Sequence, residues 1–149
     1  MMDNLKHKDL TDKVLKAFYK VYNTLGYGFL EKVNERALIF ELGSLGLRAA
    51  RQQPIKVYYG GSLVGDYFAD IVVENKVIIE VKIAEAIGEA HIAQLRNYLK
   101  ATEIEVGLLL NFGPDPRFAR KIFSNDHKQF FNGPKICTNP SIPPNQRGH

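Results

Sequence analysis

Apolar residues recur at helical spacing from Leu10 to Leu25, through Val14, Phe18, Val21 and Tyr22, and the pattern predicts a helix with Asp9 or Thr11 as its N-cap. Gly26-Tyr27-Gly28 breaks it. A second helical pattern spans about Phe29 to Leu45 and stops at Gly46. Ile55 to Tyr59 then alternates, Gly60-Gly61 turns, and Leu63 to Val73 holds a second strand. After Glu74-Asn75-Lys76, Val77 to Ile83 is so evenly apolar that it predicts a central strand covered on both faces. A helix from about Ile87 to Lys100 and a short apolar strand from Val106 to Asn111 follow, and Arg117 to Phe123 fits either a last strand or a helical turn. The order predicts an α/β domain with a mixed sheet and helices on its faces. From Ser124 the composition turns to Asn, Pro, Gln and Gly. Residues 1–124 are therefore expected to form one domain and residues 125–149 a polar tail.

Composition changes this picture little. With 149 residues and 45% apolar content there is room for one domain with a proper core. No run approaches a membrane span, Met1 to Leu10 is too polar for a signal peptide, and the expected place is the cytoplasm. The single Cys137 excludes an internal disulfide and a thiolate zinc site, so a bound metal would need oxygen or imidazole ligands. The net charge of +4 is uneven: Asp66 to Glu105 carries eight acids against four bases. An acidic centre within basic flanks suits a metal site acting on nucleic acid, and is also compatible with a normally mixed surface.

The acidic centre holds the candidate chemistry. Strand alternation sends Glu80 and Lys82 to one face with Ile78, and Val77, Ile79 and Val81 to the other. A carboxylate beside an ammonium can hold a divalent cation and orient or deprotonate a water, the requirements of phosphodiester hydrolysis. Asp70 joins them only if Glu74 to Lys76 is a three-residue loop, which pairs Val73 with Val77 and sets Asp70 opposite Glu80. A two-residue loop would put Asp70 on the wrong side. In that loop the left-handed position is expected at the last residue, where Lys76 would be disfavoured and Asn75 tolerated better. A buried Glu80 and Lys82 pair without chemistry is the competing reading.

Glu31 shares a helical stripe with Asn34, Leu38, Leu42 and Leu45, so it either points into the site as a third acid or is a first-turn acid favoured by the helix dipole. His91, Gln94, Leu95 and Tyr98 share one face of the next helix. Gln94 can bond water or phosphate, whereas a lone His91 reads as structural or solvent-facing. The Ile55-to-Tyr59 and Leu63-to-Tyr67 strands could form an exposed hairpin suited to a homodimer.

Together these residues resemble the GxxExxY family of the PD-(D/E)xK nuclease superfamily. The motifs carrying the resemblance are Gly26-Tyr27-Gly28-Phe29-Leu30-Glu31, Ala69-Asp70, Glu80-Val81-Lys82, Gln94-Leu95-Arg96-Asn97-Tyr98-Leu99 and Gly107 to Gly113. The resemblance implies a restriction-endonuclease-like core and a Mg²⁺- or Mn²⁺-dependent nuclease, with DNA the expected partner. By it, Asp70, Glu80, Lys82 and Gln94 are the catalytic residues, and Glu31, Asp70, Glu80 and the Val81 carbonyl hold the metal. Tyr98 and Arg96 are expected to contact nucleic acid. Asn34 stands where the family has tyrosine, and Ala69 where the superfamily often has proline. The rival expectation is a silent nuclease-fold module that binds nucleic acid or a protein partner.

Overall fold

The computed structural model describes residues 6–128. Most of the expected polar tail lies outside the described residues. Its first part does not behave as a tail: Asn125–His127 is a 3-10 turn, and Lys128 is buried with its ammonium donating to the carbonyls of Thr102 and Ile104 at 2.7 and 2.8 Å. The packed domain thus runs at least to Lys128.

Two helices come first, α1 (Lys8–Leu25) and α2 (Glu31–Ser44), then strands β1 (Ala49–Tyr59), β2 (Ser62–Val73) and β3 (Val77–Lys82). Helix α3 (Glu89–Lys100) and strands β4 (Val106–Asn111) and β5 (Arg117–Ile122) complete the order. Helix α1 starts earlier than the apolar pattern suggests. Its N-cap is a left-handed His7 with no side-chain cap, which leaves Asp9 in the first turn and Thr11 bonded inside the helix to the Lys8 carbonyl.

The five strands lie in sequence order, antiparallel except for the β3 and β4 pair, which is parallel. That parallel pair requires the crossover that α3 supplies. Two cores follow. Val14, Phe18, Leu38 and Leu42 of α1 and α2 pack with Ile71, Val73, Ile79, Val81, Leu108 and Leu110 on one face of the sheet. Leu95, Tyr98 and Leu99 of α3 pack with Ile78, Val72 and Leu109 on the other. Successive residues of β3 and β4 enter opposite cores, which is why both strands read as unbroken apolar runs.

The hairpin between β2 and β3 has the odd loop that the chemistry requires: Val73 pairs with Val77 and Ile71 with Ile79. The left-handed residues are its first two, Glu74 (φ 54°) and Asn75 (φ 55°), and Lys76 is spared. Glu74 keeps this conformation through Arg48, whose main-chain N–H donates to Oε2 at 2.7 Å and whose guanidinium donates to Oε1 at 3.2 Å. Strand β1 is six residues longer at its start than alternation indicates. Its first half is interrupted by Gln52 at φ 50°, which hides the two-residue period. The far end of the β1 and β2 hairpin projects with Tyr59, Leu63, Val64, Tyr67 and Phe68 exposed.

Candidate active site

The site forms where β2 and β3 part. Their ladder ends at Ile71 and Ile79, and at the next step side chains replace main-chain pairing. The Asp70 N–H donates to Glu80 Oε2 at 2.9 Å, and the Val81 N–H donates to Asp70 Oδ2 at 2.7 Å. The two carboxylates that the register argument set opposite each other are therefore interlocked, with Glu80 only 3% exposed.

Helix α2 and the irregular part of β1 bring a third carboxylate, and it is not Glu31. Glu31 is exposed at the first residue of α2 and makes no hydrogen bond or ion pair among the described residues. Glu35, one turn on, is 4% exposed. Its Oε1 accepts from Arg51 Nε at 3.2 Å and from Gln52 Nε2 at 3.3 Å, and the Gln52 amide also favours the charged form of Asp70. Gln52 thus acts on two of the acids. Glu35, Arg51 and Gln52 are the residues that the sequence reading missed. A signal for Glu35 existed: it precedes Leu38 by three positions and Leu42 by seven, squarely on the buried stripe.

From the α3 side, Lys82 Nζ donates to Gln94 Oε1 at 3.4 Å, and Gln94 Nε2 donates to the Tyr98 hydroxyl at 3.2 Å. Catalytic candidates from β3 and α3 therefore form one chain. Arg96 does not belong to it. Two positions from Gln94 on a helix is about 200° of rotation, and Arg96 is exposed on the far side of α3. His91 is structural, its Nδ1 accepting from the Gly88 N–H at 3.1 Å at the start of α3. Asn34 is buried, donates to the Leu30 carbonyl at 3.3 Å, and leaves Oδ1 without a partner.

The carboxyls oppose one another's ionisation. Burial, with the charge of Asp70 next, pushes Glu80 up to about 8. Asp70 is raised by burial against the pull of the Val81 N–H and Lys82, and Glu35 by burial and then by Asp70. Burial and the nearby acids take Tyr98 to about 12. A buried acidic cluster in which Glu80 keeps its proton at neutral pH suits a divalent cation, which would displace that proton and balance the charge. The donor chemistry fits such an ion, three carboxylates with no thiolate. The oxygens as placed do not converge, however: among the described residues no group of three acidic, histidine or cysteine side chains stands at metal-binding spacing. The acids face Arg51, Gln52 and two main-chain N–H groups instead.

The profile of the PD-(D/E)XK nuclease superfamily matches residues 8–122. The chain belongs to that superfamily. The match to the PD-(D/E)XK nucleases covers every element from α1 to β5, but it does not carry the narrower GxxExxY assignment. Among solved structures, one titled "Crystal structure of SSO0001" superposes with a TM-score of 0.50 at 18% identity, over 79% of this chain and 60% of that one. The chain thus spans less than two thirds of that chain, and the likeness concerns the fold. No curated protein matches the chain. Among the described residues, no helix is long and apolar enough to cross a membrane.

The raised Glu80 carboxyl has a consequence for stability. Its folded value of about 8 lies above the ordinary 4.5, so the fold is favoured by protonation. That contribution is complete below about pH 4.5 and lost as pH rises through about 8. In EDTA, wild-type protein is expected to lose stability from pH 5 to 8, on the order of 1 kcal/mol per pH unit at most. Glu80→Gln should flatten that slope. Urea melts across the range check this, and equal slopes in the two proteins would mean that Glu80 is ionised throughout.

Proposed function

We propose that this PD-(D/E)XK protein is a divalent-metal-dependent nuclease that hydrolyses phosphodiester bonds, with DNA as its substrate. The observation that carries the reading is the interlocked Asp70 and Glu80 pair, with Glu35 on one side and the Lys82, Gln94 and Tyr98 chain on the other. The choice of DNA rests on the superfamily alone.

In this reading Asp70, Glu80 and the Val81 carbonyl would hold Mg²⁺ or Mn²⁺, and Glu35 would take the part expected of Glu31. Such an ion, when bound, would supply charge neutralisation at the phosphate and a more acidic water. Lys82 carries its positive charge beside the acids, where it orients the attacking water and offsets negative charge building on the phosphate. Gln94 fixes the Lys82 ammonium from one side and is itself fixed by Tyr98, so the ammonium sits on two rigid elements. Gln52 donates to Glu35 and favours the charged form of Asp70 as well, which offsets the repulsion between the two acids before a cation arrives.

One observation favours the second reading, a silent module that binds nucleic acid or a protein: the acids are already engaged by Arg51, Gln52 and main-chain N–H groups. Purified protein incubated with Mn²⁺ and single-stranded, double-stranded and structured DNA and RNA separates the two. Cleavage lost in Glu80→Gln supports the nuclease. Binding that is unchanged by EDTA and by Glu80→Gln, without cleavage, supports the silent module.

The two glutamates of α2 give a sharper check. Glu35→Gln is expected to weaken Mn²⁺ binding by about tenfold, the scale of one carboxylate's loss from a metal site. Glu31→Gln, at an exposed position, should leave it unchanged. Calorimetric titration reads both, and the opposite ranking would restore Glu31 to the site.

A further inference from the structure

One aromatic side chain beside the site has no part in the chemistry above. Tyr67 lies on β2 opposite Ile55 and three residues before Asp70, on the order of 10 Å along the strand. It is 47% exposed. Its ring rests against Tyr98, with centroids 5.7 Å apart and planes at 44°, and Tyr98 is the residue that anchors Gln94 and through it Lys82.

The strand beneath is cut away to receive this ring. Gly65, two residues earlier, has no positive φ, so its backbone conformation does not call for glycine. A Cβ there would stand 2.8 Å from Tyr67 Cε2 and 3.2 Å from Val57 Cβ. Glycine weakens a strand interior and marks sites of close approach. What comes close to Gly65 is the Tyr67 ring. The ring is thus seated between the Gly65 notch and Tyr98, with about half the residue left in solvent.

We infer that Tyr67 is a stacking platform for an unpaired nucleobase next to the phosphate held at Asp70, Glu80 and Lys82, an inference that rests on the nuclease reading of that site. A ring already held loses little freedom when a base stacks on it. Bases within a duplex have their faces covered by neighbours, and only a base outside the stack offers a face to a protein ring. The substrate class is therefore single-stranded DNA, or a frayed or looped strand, rather than uninterrupted duplex. The Lys82 ammonium, bonded to Gln94 beside Tyr98, offers a positive charge to a phosphate of a strand that stacks at Tyr67. An apolar protein partner would gain nothing from that ammonium.

The test measures binding by fluorescence anisotropy in Ca²⁺, for a labelled single strand and for the same sequence fully paired, with Mn²⁺-dependent cleavage followed in parallel. Tyr67→Ala is expected to weaken single-strand binding by about tenfold, the scale of one lost base stack, with duplex binding unchanged. Tyr67→Phe should match wild type. Gly65→Ala keeps the aromatic residue but displaces its ring, and should weaken single-strand binding in the same direction. Melting curves establish that each variant is folded. An equal loss on both substrates, no loss in Tyr67→Ala, or no single-strand binding by the wild type would overturn the inference. Glu80-dependent cleavage that ignores Tyr67→Ala removes this inference and leaves the nuclease reading standing. Tyr67-dependent single-strand binding without any cleavage does the reverse.

Discussion

Glu80→Gln is expected to reduce Mn²⁺-dependent cleavage by roughly a thousandfold while making the metal-free protein more stable above neutral pH. The amide keeps the size of the side chain and an oxygen for the Asp70 N–H, so the fold loses little. What disappears is a charge that burial and Asp70 both oppose, which is why stability should rise. Activity falls because charge neutralisation at a phosphate is worth several kcal/mol, and because one of the acids that hold the ion is gone. Lys82→Met should cost turnover on the same scale but leave Mn²⁺ binding intact or tighter, since it removes a cation beside the acids. A structural ion pair would behave otherwise: either change would lower stability, and neither would separate metal binding from turnover. Calorimetric metal titration, melting curves at pH 8 and initial cleavage rates read these three effects independently. Loss of stability in Glu80→Gln at pH 8 would contradict the account.

The second large effect is expected at Gly113, well past Asp70, Glu80 and Lys82 in sequence. Asn111, fully buried, uses its side-chain amide as a short length of strand: Nδ2 donates to the Ala84 carbonyl, Oδ1 accepts from the Ala84 N–H, both at 2.9 Å, and Oδ1 also accepts from the Gly113 N–H at 3.1 Å. The Phe112 N–H meanwhile donates to the carbonyl of Lys82 at 2.8 Å. This clamp fixes the chain just after β3, and Tyr22 of α1 secures it by donating to the Gly113 carbonyl at 2.8 Å. A Cβ on Gly113 would stand 2.1 Å from the Ala84 carbonyl oxygen, a main-chain atom that cannot swing aside. Gly113→Ala should therefore destabilise the protein by about 3 kcal/mol or more, a fall in Tm on the order of 10 °C. It should also lower cleavage at temperatures where the variant remains folded, because the main chain at Lys82 moves with Ala84. A variant with wild-type melting and activity would show that the clamp is not rigid.

The pH slope of the metal-free protein and the Tyr67 variants approach the same site from different sides. The slope reports whether Glu80 keeps its proton until a cation arrives. The variants report what lies across the phosphate. Neither depends on the other, so together they separate a cluster that holds metal from a surface that holds nucleic acid.

Much of this was legible from sequence because it follows from short-range geometry. Period-two alternation put Glu80 and Lys82 on one face, and counting back across Glu74 to Lys76 set Asp70 opposite Glu80. The apolar run from Val77 announced a strand covered on both sides, and the spacing of Gln94 and Tyr98 placed both on one face of α3. What sequence could not give depends on how elements meet. Glu31 and Glu35 lie only about 40° apart around α2 but about 6 Å apart along it, and which one reaches the sheet is decided by where Leu38 and Leu42 seat in the core. Arg51 and Gln52 enter the site because Gln52 turns left-handed, a choice that a non-glycine residue makes only under tertiary constraint. Lys128, in a stretch that composition assigned to a tail, is held by two carbonyls from the turn after α3. Local pattern determined the central strands and the face shared by Glu80 and Lys82, and left the loop register, the start of β1 and the nature of β5 open. Packing alone decided which distant side chains complete the site, because burial and hydrogen-bond partners exist only once the layers close.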